Sequence, residues 1–183
     1  INIEQLRVKK KLGERDYSAS AKGKIPVRSL TAAADETVAS SEQIDISLAL
    51  DDADLSLLPI LSPAVEWAIG PTKGKVRVTG TLERPQFAGE VSLADGALKF
   101  KAVATPVTEM KARLRFFGSS ITLEDCTGKM GTGSYRIAGR TSFVGGRWRD
   151  YALDFKADEL SVVSSFYDGP LTADFHIEEG EMF

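Results

Sequence analysis

The chain has 183 residues, 43% hydrophobic and 27% charged, a globular balance that excludes a wholly disordered polypeptide. A net charge of −3, with the densest basic cluster confined to Lys9-Lys10-Lys11, excludes a nucleic-acid binder that tracks phosphates over a broad cationic face. The single cysteine, Cys126, excludes an intrachain disulfide, and no apolar run approaches the ~20 residues that span a bilayer as a helix.

The chain begins on Ile1-Asn2-Ile3 and stops at Phe183 just after a strand-like run, so the expectation is a single module over 1–183 cut from a longer repetitive protein. From Ile44 onward the dominant period is two. Ile44, Ile46, Leu48 and Leu50 alternate with Asp45, Ser47 and Ala49, and a plausible N-cap at Asp54 then opens a short helix over Leu55 to Leu61, limited by Pro59 and Pro63. A second short helical segment is expected around Val65 to Ile69, while Arg28 to Glu42 reads as a long loop or weak strand. Val76, Val78, Gly80 and Leu82 alternate with Lys75, Arg77, Thr79 and Thr81. Phe87, Gly89, Val91 and Leu93 follow, then Met110, Ala112, Leu114 and Phe116 against Lys111, Arg113 and Arg115. Ile121/Leu123, Tyr135/Ile137, Tyr151/Leu153/Phe155 and Leu171/Ala173/Phe175/Ile177 repeat the theme. Alternate side chains of an extended chain point to opposite faces, so each run has one dry and one wet face. This predicts an all-β, mostly antiparallel protein with one solvated side, with Asp95-Gly96, Gly118-Ser119, Gly145-Gly146 and Asp168-Gly169 as separators and Pro85 and Pro106 at strand starts.

An internal repeat adds to this. Leu48-Ala49-Leu50-Asp51-Asp52-Ala53-Asp54-Leu55-Ser56-Leu57-Leu58 aligns without gaps on Leu153-Asp154-Phe155-Lys156-Ala157-Asp158-Glu159-Leu160-Ser161-Val162-Val163, and each copy leads to a Gly-opened strand, so the repeat covers about 48–82 and 153–177. Such repeats belong to elongated folds whose units pack on their neighbours.

No catalytic constellation emerges. His176, the only histidine, occupies a polar-face position without the spaced partners of a triad or a zinc site, and Cys126 has no activating base beside it in sequence. Gly128-Lys129-Met130-Gly131-Thr132-Gly133 fails as a phosphate loop because Met130 follows the lysine and a strand follows the cluster; a turn or bulge between strands is the expectation. The acidic neighbours Asp51/Asp52, Glu124/Asp125 and Glu178/Glu179 alternate across a strand and do not converge on one substrate. The sequence therefore predicts no enzyme, no metal and no cofactor. What remains is the apolar stripe. It is either the core of a closed two-sheet sandwich, the commoner fate of such stripes, or the lining of a sheet that curls without closing; periodicity leaves both standing. Trp67, Trp148 and Tyr167 are the aromatics that a carbohydrate-binding sandwich would offer at its loop ends.

From Ile44 to the C-terminus the chain resembles a known family. The resembling run is Leu55-Ser56-Leu57-Leu58-Pro59-Ile60-Leu61, Gly74-Lys75-Val76-Arg77-Val78-Thr79-Gly80-Thr81-Leu82 and Pro85-Gln86-Phe87-Ala88-Gly89-Glu90-Val91. Leu93-Ala94-Asp95-Gly96, Ile121-Thr122-Leu123, Gly128 to Gly133 and Arg136-Ile137-Ala138-Gly139 complete it. In this order the cadence is similar to the C-terminal region of the TamB family, the inner-membrane-anchored subunit of the translocation and assembly module, within the AsmA-like group. The resemblance implies an elongated, curved, open β-groove, bent like a taco shell, in the periplasm, in a parent protein anchored in the inner membrane. It implies a carrier of phospholipid or of apolar segments of outer-membrane proteins that works with an outer-membrane assembly barrel of the TamA or BamA kind. The groove lining is then expected from Val76, Val78, Leu82, Phe87, Val91, Leu93, Leu98, Phe100, Leu114, Phe116, Ile121, Leu123, Ile137, Tyr151, Leu153, Phe155, Phe175 and Ile177, with the segment Leu55 to Leu61 as a plug or cap.

Overall fold

The computed structural model describes residues 2–12, 15–24, 43–81, 83–145 and 147–179; the expected loop Arg28 to Glu42 and Leu82 lie outside them. Among the described residues eleven strands form one antiparallel sheet: β1 (Asn2–Leu12), β2 (Arg15–Lys24), β3 (Ile44–Asp54), β4 (Val65–Ile69), β5 (Pro71–Gly80), β6 (Pro85–Phe100), β7 (Val107–Gly118), β8 (Ser120–Met130), β9 (Gly133–Val144), β10 (Arg147–Val163) and β11 (Asp168–Glu178). The order follows the chain, β1-β2-β3-β5-β6-β7-β8-β9-β10-β11, with β4 set aside on the far part of β6. From β5 onward each strand pairs with the next in sequence, and Gly118-Ser119 and Gly131-Thr132 reverse the chain as their glycines predict. With one sheet and two edges, β1 and β11, unpaired among the described residues, the two-sheet sandwich is not the architecture.

The sheet stays open, yet it is not flat. β6 and β10 are separated by β7, β8 and β9, a flat distance of about 19 Å at ~4.8 Å per strand. Near their starts, however, the rings of Phe87 on β6 and Trp148 on β10 stack with centroids 6.3 Å apart. Just past their ends, Val103 bridges Ser164, and the Ala104 N–H donates to the Val163 carbonyl at 2.7 Å. Both ends of the two strands therefore come together, and β7 to β9 bow between them with the apolar face inside. Bulges supply the bend. Among the described residues four non-glycines have positive φ, Asp95, Glu109, Asp150 and Glu159, and all sit where register slips by a residue. Each bulge raises the local twist and tips its strand.

Gly74 and Gly89 show a second device for close approach. They hold φ of +155° and +136° on neighbouring strands, and an added Cβ would stand 2.2 Å from the Glu90 carbonyl oxygen and 2.0 Å from that of Lys75. Only glycine reaches this backbone region without strain, so β5 and β6 pair here because both positions lack a side chain.

Four expectations need correction. Val65–Ile69 is strand β4, not helix: a slip between Val65 and Trp67 buries Val65 and Ala68 together, and that spacing of three imitates a helical face. Asp95-Gly96 is a bulge inside β6 and not a turn. The reversal before β11 is made by Ser164–Tyr167, with Asp168 and Gly169 already paired to Val163 and Val162. Finally, the repeat does not fold alike. In the first copy Asp54 caps a 3-10 turn at Leu55–Leu57, accepting from the Ser56 N–H at 2.9 Å, and a four-residue helix α1 (Leu58–Leu61) follows. The second copy has Glu159 at the capping position, held as a bulge whose N–H donates to the Thr172 hydroxyl, and Leu160–Val163 stays in β10.

Candidate functional site

The two faces of the sheet separate cleanly. On the outer face charged side chains join adjacent strands: Asp45–Arg77, Glu90–Arg113, Glu124–Arg115, Glu109–Lys129, Asp125–Arg136 and Asp174–Lys156, with N···O distances of 2.8–3.7 Å. Arg77 holds Asp45 through two hydrogen bonds, which draws that carboxyl below its ordinary value. His176 Nδ1 lies 2.7 Å from Asp154 Oδ1, and this hydrogen bond raises the imidazole pKa. The ring is exposed.

On the inner face, register turns the apolar stripe into continuous rows. Ala21, Leu48, Val76, Gly89, Phe116 and Ile121 are successive cross-strand partners from β2 to β8. A second row runs Ala19, Leu50, Gly74, Val91, Leu114, Leu123, Gly139, Leu153 and Ile177, reaching β11. A third runs Leu93, Ala112, Cys126, Ile137, Phe155 and Phe175, ending in a ring stack of Phe155 on Phe175 at 5.0 Å. No side chain polar enough to be charged interrupts these rows.

Packing along the rows is uneven, and that decides what the face can do. Toward the far ends of β6 and β10, Val65, Ala68, Leu93, Leu98, Val107, Met110, Met130, Ala157 and Leu160 form a buried cluster. Leu55 and Leu58, from the 3-10 turn and α1, pack against it. That end is filled. Midway, Val76, Val78, Val91, Leu114, Phe116, Ile121, Leu123, Ile137, Leu153 and Phe155 are only half-buried. Beyond β10 the face opens further, with Phe175 43% and Ile177 45% exposed. No large side chain among the described residues is completely buried. At the near end Phe143 meets Trp148 edge-on at 5.1 Å beside the Phe87 stack.

Of the expected lining, most positions therefore share one concave face. Leu93 and Leu98 belong to its packed end, and Phe100 sits at the exposed close of β6. Tyr151 lies in the Asp150 bulge, where register skips from Arg149 to Ala152 and alternation no longer assigns a face. The expected lining leaves out Leu48 and Leu50, whose alternation is plain, and the Phe143/Trp148 pair, legible as two aromatics flanking Gly145-Gly146. Cys126, on the third row, shares a side-chain hydrogen bond with Tyr135; burial pushes both the thiol and the phenol up. Among the described residues no cluster of three metal-ligating side chains occurs, and no helix is long and apolar enough to cross a membrane, which says nothing of strands.

No protein-family model matches the chain, and no curated protein or solved structure matches it significantly.

Proposed function

We propose that the chain is a non-enzymatic lipid-handling module of the bacterial cell envelope, a TamB-like groove that holds phospholipid acyl chains on its concave apolar face. The observation that carries this is the half-exposed middle of the three apolar rows, filled at one end and opening toward β11. Acyl chains gain about 0.8 kcal/mol per buried CH₂ on such a surface, with no polar site needed. Rows of repeated apolar character let cargo slide, since each row offers what the next one does. In this reading the parent protein is anchored in the inner membrane, the module stands in the periplasm, and an outer-membrane assembly barrel of the TamA or BamA kind receives the cargo.

A second reading has its own observation. β11 is an edge strand with Leu171, Phe175 and Ile177 exposed, so an apolar segment of an outer-membrane protein can add to it as a further strand. Native mass spectrometry of the purified chain separates the two. Phospholipid retained in place of peptide supports the groove; a lipid-free protein that also refuses added phospholipid overturns it.

A further inference from the structure

The outer face carries a depression of about 570 Å³ over β2, β3, β5 and β6. Register explains why it is there. Ser47 on β3 lies between its partners Lys22 on β2 and Arg77 on β5, and one pleat along Ala49 lies between Ser20 and Lys75. Short side chains therefore make the floor, and three long cationic ones make the rim. Among the described residues no aspartate or glutamate lines it.

The acids nearby are turned to other work. Asp45, in the next row, accepts from Arg77 Nε and Nη2 at 3.0 and 2.9 Å, which fixes the guanidinium and leaves its Nη1 donors to a ligand. Glu90 stands opposite Lys75 in register, yet its carboxylate lies 3.7 Å from Arg113, and Lys75 forms no ion pair among the described residues. The hydroxyls of Ser20 and Ser47 have no hydrogen-bond partner among those residues either. The cations of β8 to β10 differ: Lys129, Arg136 and Lys156 are each matched by an acid, Glu109, Asp125 and Asp174.

We infer that this depression binds a phosphate group, carried either by a soluble phosphate ester or by a lipid headgroup. Three cations less the Asp45 carboxylate leave a charge of +2, which matches a phosphate dianion and exceeds what one carboxylate ligand would neutralise. Arg77 supplies a fixed, planar donor, Lys22 and Lys75 supply mobile point charges, and the two serines supply hydroxyl donors, the set that phosphate recognition uses. The volume falls within the range of small-ligand sites, so the group that carries the phosphate also has room. The site lies on the face opposite the apolar rows and does not depend on what those rows carry.

Amide NMR of the unmodified chain, titrated with pyrophosphate at low ionic strength against matched sodium chloride, reads the site. The expected result is saturable shifts at Ser47, Lys75 and Arg77 with a Kd on the order of 1 mM, and none at Lys156. K22A/K75A should weaken binding about tenfold or more, as loss of two charge-assisted contacts implies. K129A/K156A removes two lysines already paired with acids and should leave it within about twofold. Co-sedimentation with phosphatidylglycerol vesicles, against phosphatidylcholine, separates the sources. Retention that K22A/K75A abolishes assigns a lipid headgroup; NMR binding without retention assigns a soluble ester. Shifts that sodium chloride reproduces, equal weakening by both double variants, or no response to either probe overturns the inference. If K22A/K75A fails to fold by circular dichroism, the location of the shifts in the unmodified chain decides: shifts spread evenly over the outer face overturn it.

Discussion

Gly89→Ala tests how the sheet is made to curl. Gly89 stands at φ +136°, where an L residue costs roughly 1–3 kcal/mol, and the new methyl carbon would lie 2.0 Å from the Lys75 carbonyl oxygen. The flexible tip of a side chain could turn away; a carbonyl within the β5–β6 ladder cannot, so the strands must part. One or two backbone hydrogen bonds at about 1 kcal/mol each are then weakened. The sum is about 3 kcal/mol, a large share of the 5–15 kcal/mol that holds an ordinary domain. Gly145→Ala is the matched control, since Gly145 also has positive φ, +58°, but an added Cβ meets nothing within 4 Å. It should cost about 1 kcal/mol. In urea unfolding, at an m-value of about 2 kcal/mol/M, the midpoint should fall by about 1.5 M for Gly89→Ala and about 0.5 M for Gly145→Ala. Equal shifts in the two variants would refute the steric account of this crossing.

Other outcomes follow from the same geometry. Leu123→Asp places a charge in the middle of the second apolar row, and excluding about three methylenes should weaken binding of a fluorescent phospholipid by about fiftyfold, whereas Thr122→Asp on the other face should leave it within about twofold. Cys126, with its thiol raised by burial, should alkylate more slowly at pH 8 than a free cysteine, and bound phospholipid should slow it further; unchanged rates with lipid would speak against acyl chains on the third row. The lone imidazole of His176 should titrate above 6.5 by NMR and return toward 6.5 in Asp154→Asn. Because its folded pKa is raised, the Asp154 contact stabilises β11 fully below pH 6.5 and is lost as pH rises through the folded pKa, so protection of β11 amides should decline over that window.

Much of the fold was legible because a period of two has one geometric meaning. Ile44 to Leu50, Val76 to Gly80 and Met110 to Phe116 alternate without interruption and became strands with their apolar positions on a common face. What misled was the bulge. A single extra residue puts Val65 and Ala68 on one side of β4 and makes a strand look helical, and it makes Asp95-Gly96 look like the end of a strand that runs on to Phe100. Bulges leave no pattern of their own in one sequence, because Asp and Glu at positive φ resemble Asp and Glu at any turn. The repeat misled for a related reason: Asp54 and Glu159 are both acidic, yet the shorter side chain reaches back to an N–H two residues on and starts a helical turn. The candidate face was legible as a stripe, but its curvature was not. Phe87 and Trp148 are far apart in sequence and on strands that do not pair, so nothing local announces their stack.

The central claim, that the half-buried rows hold acyl chains, is tested most directly by site-specific photo-crosslinking. A photoreactive residue replaces Leu114 on the inner face or its neighbour Arg113 on the outer face, and each protein is irradiated with phospholipid vesicles. The account predicts phospholipid adducts at Leu114 and few or none at Arg113. Equal labelling of both positions, or none at Leu114 in a protein whose circular dichroism is unchanged, would contradict it.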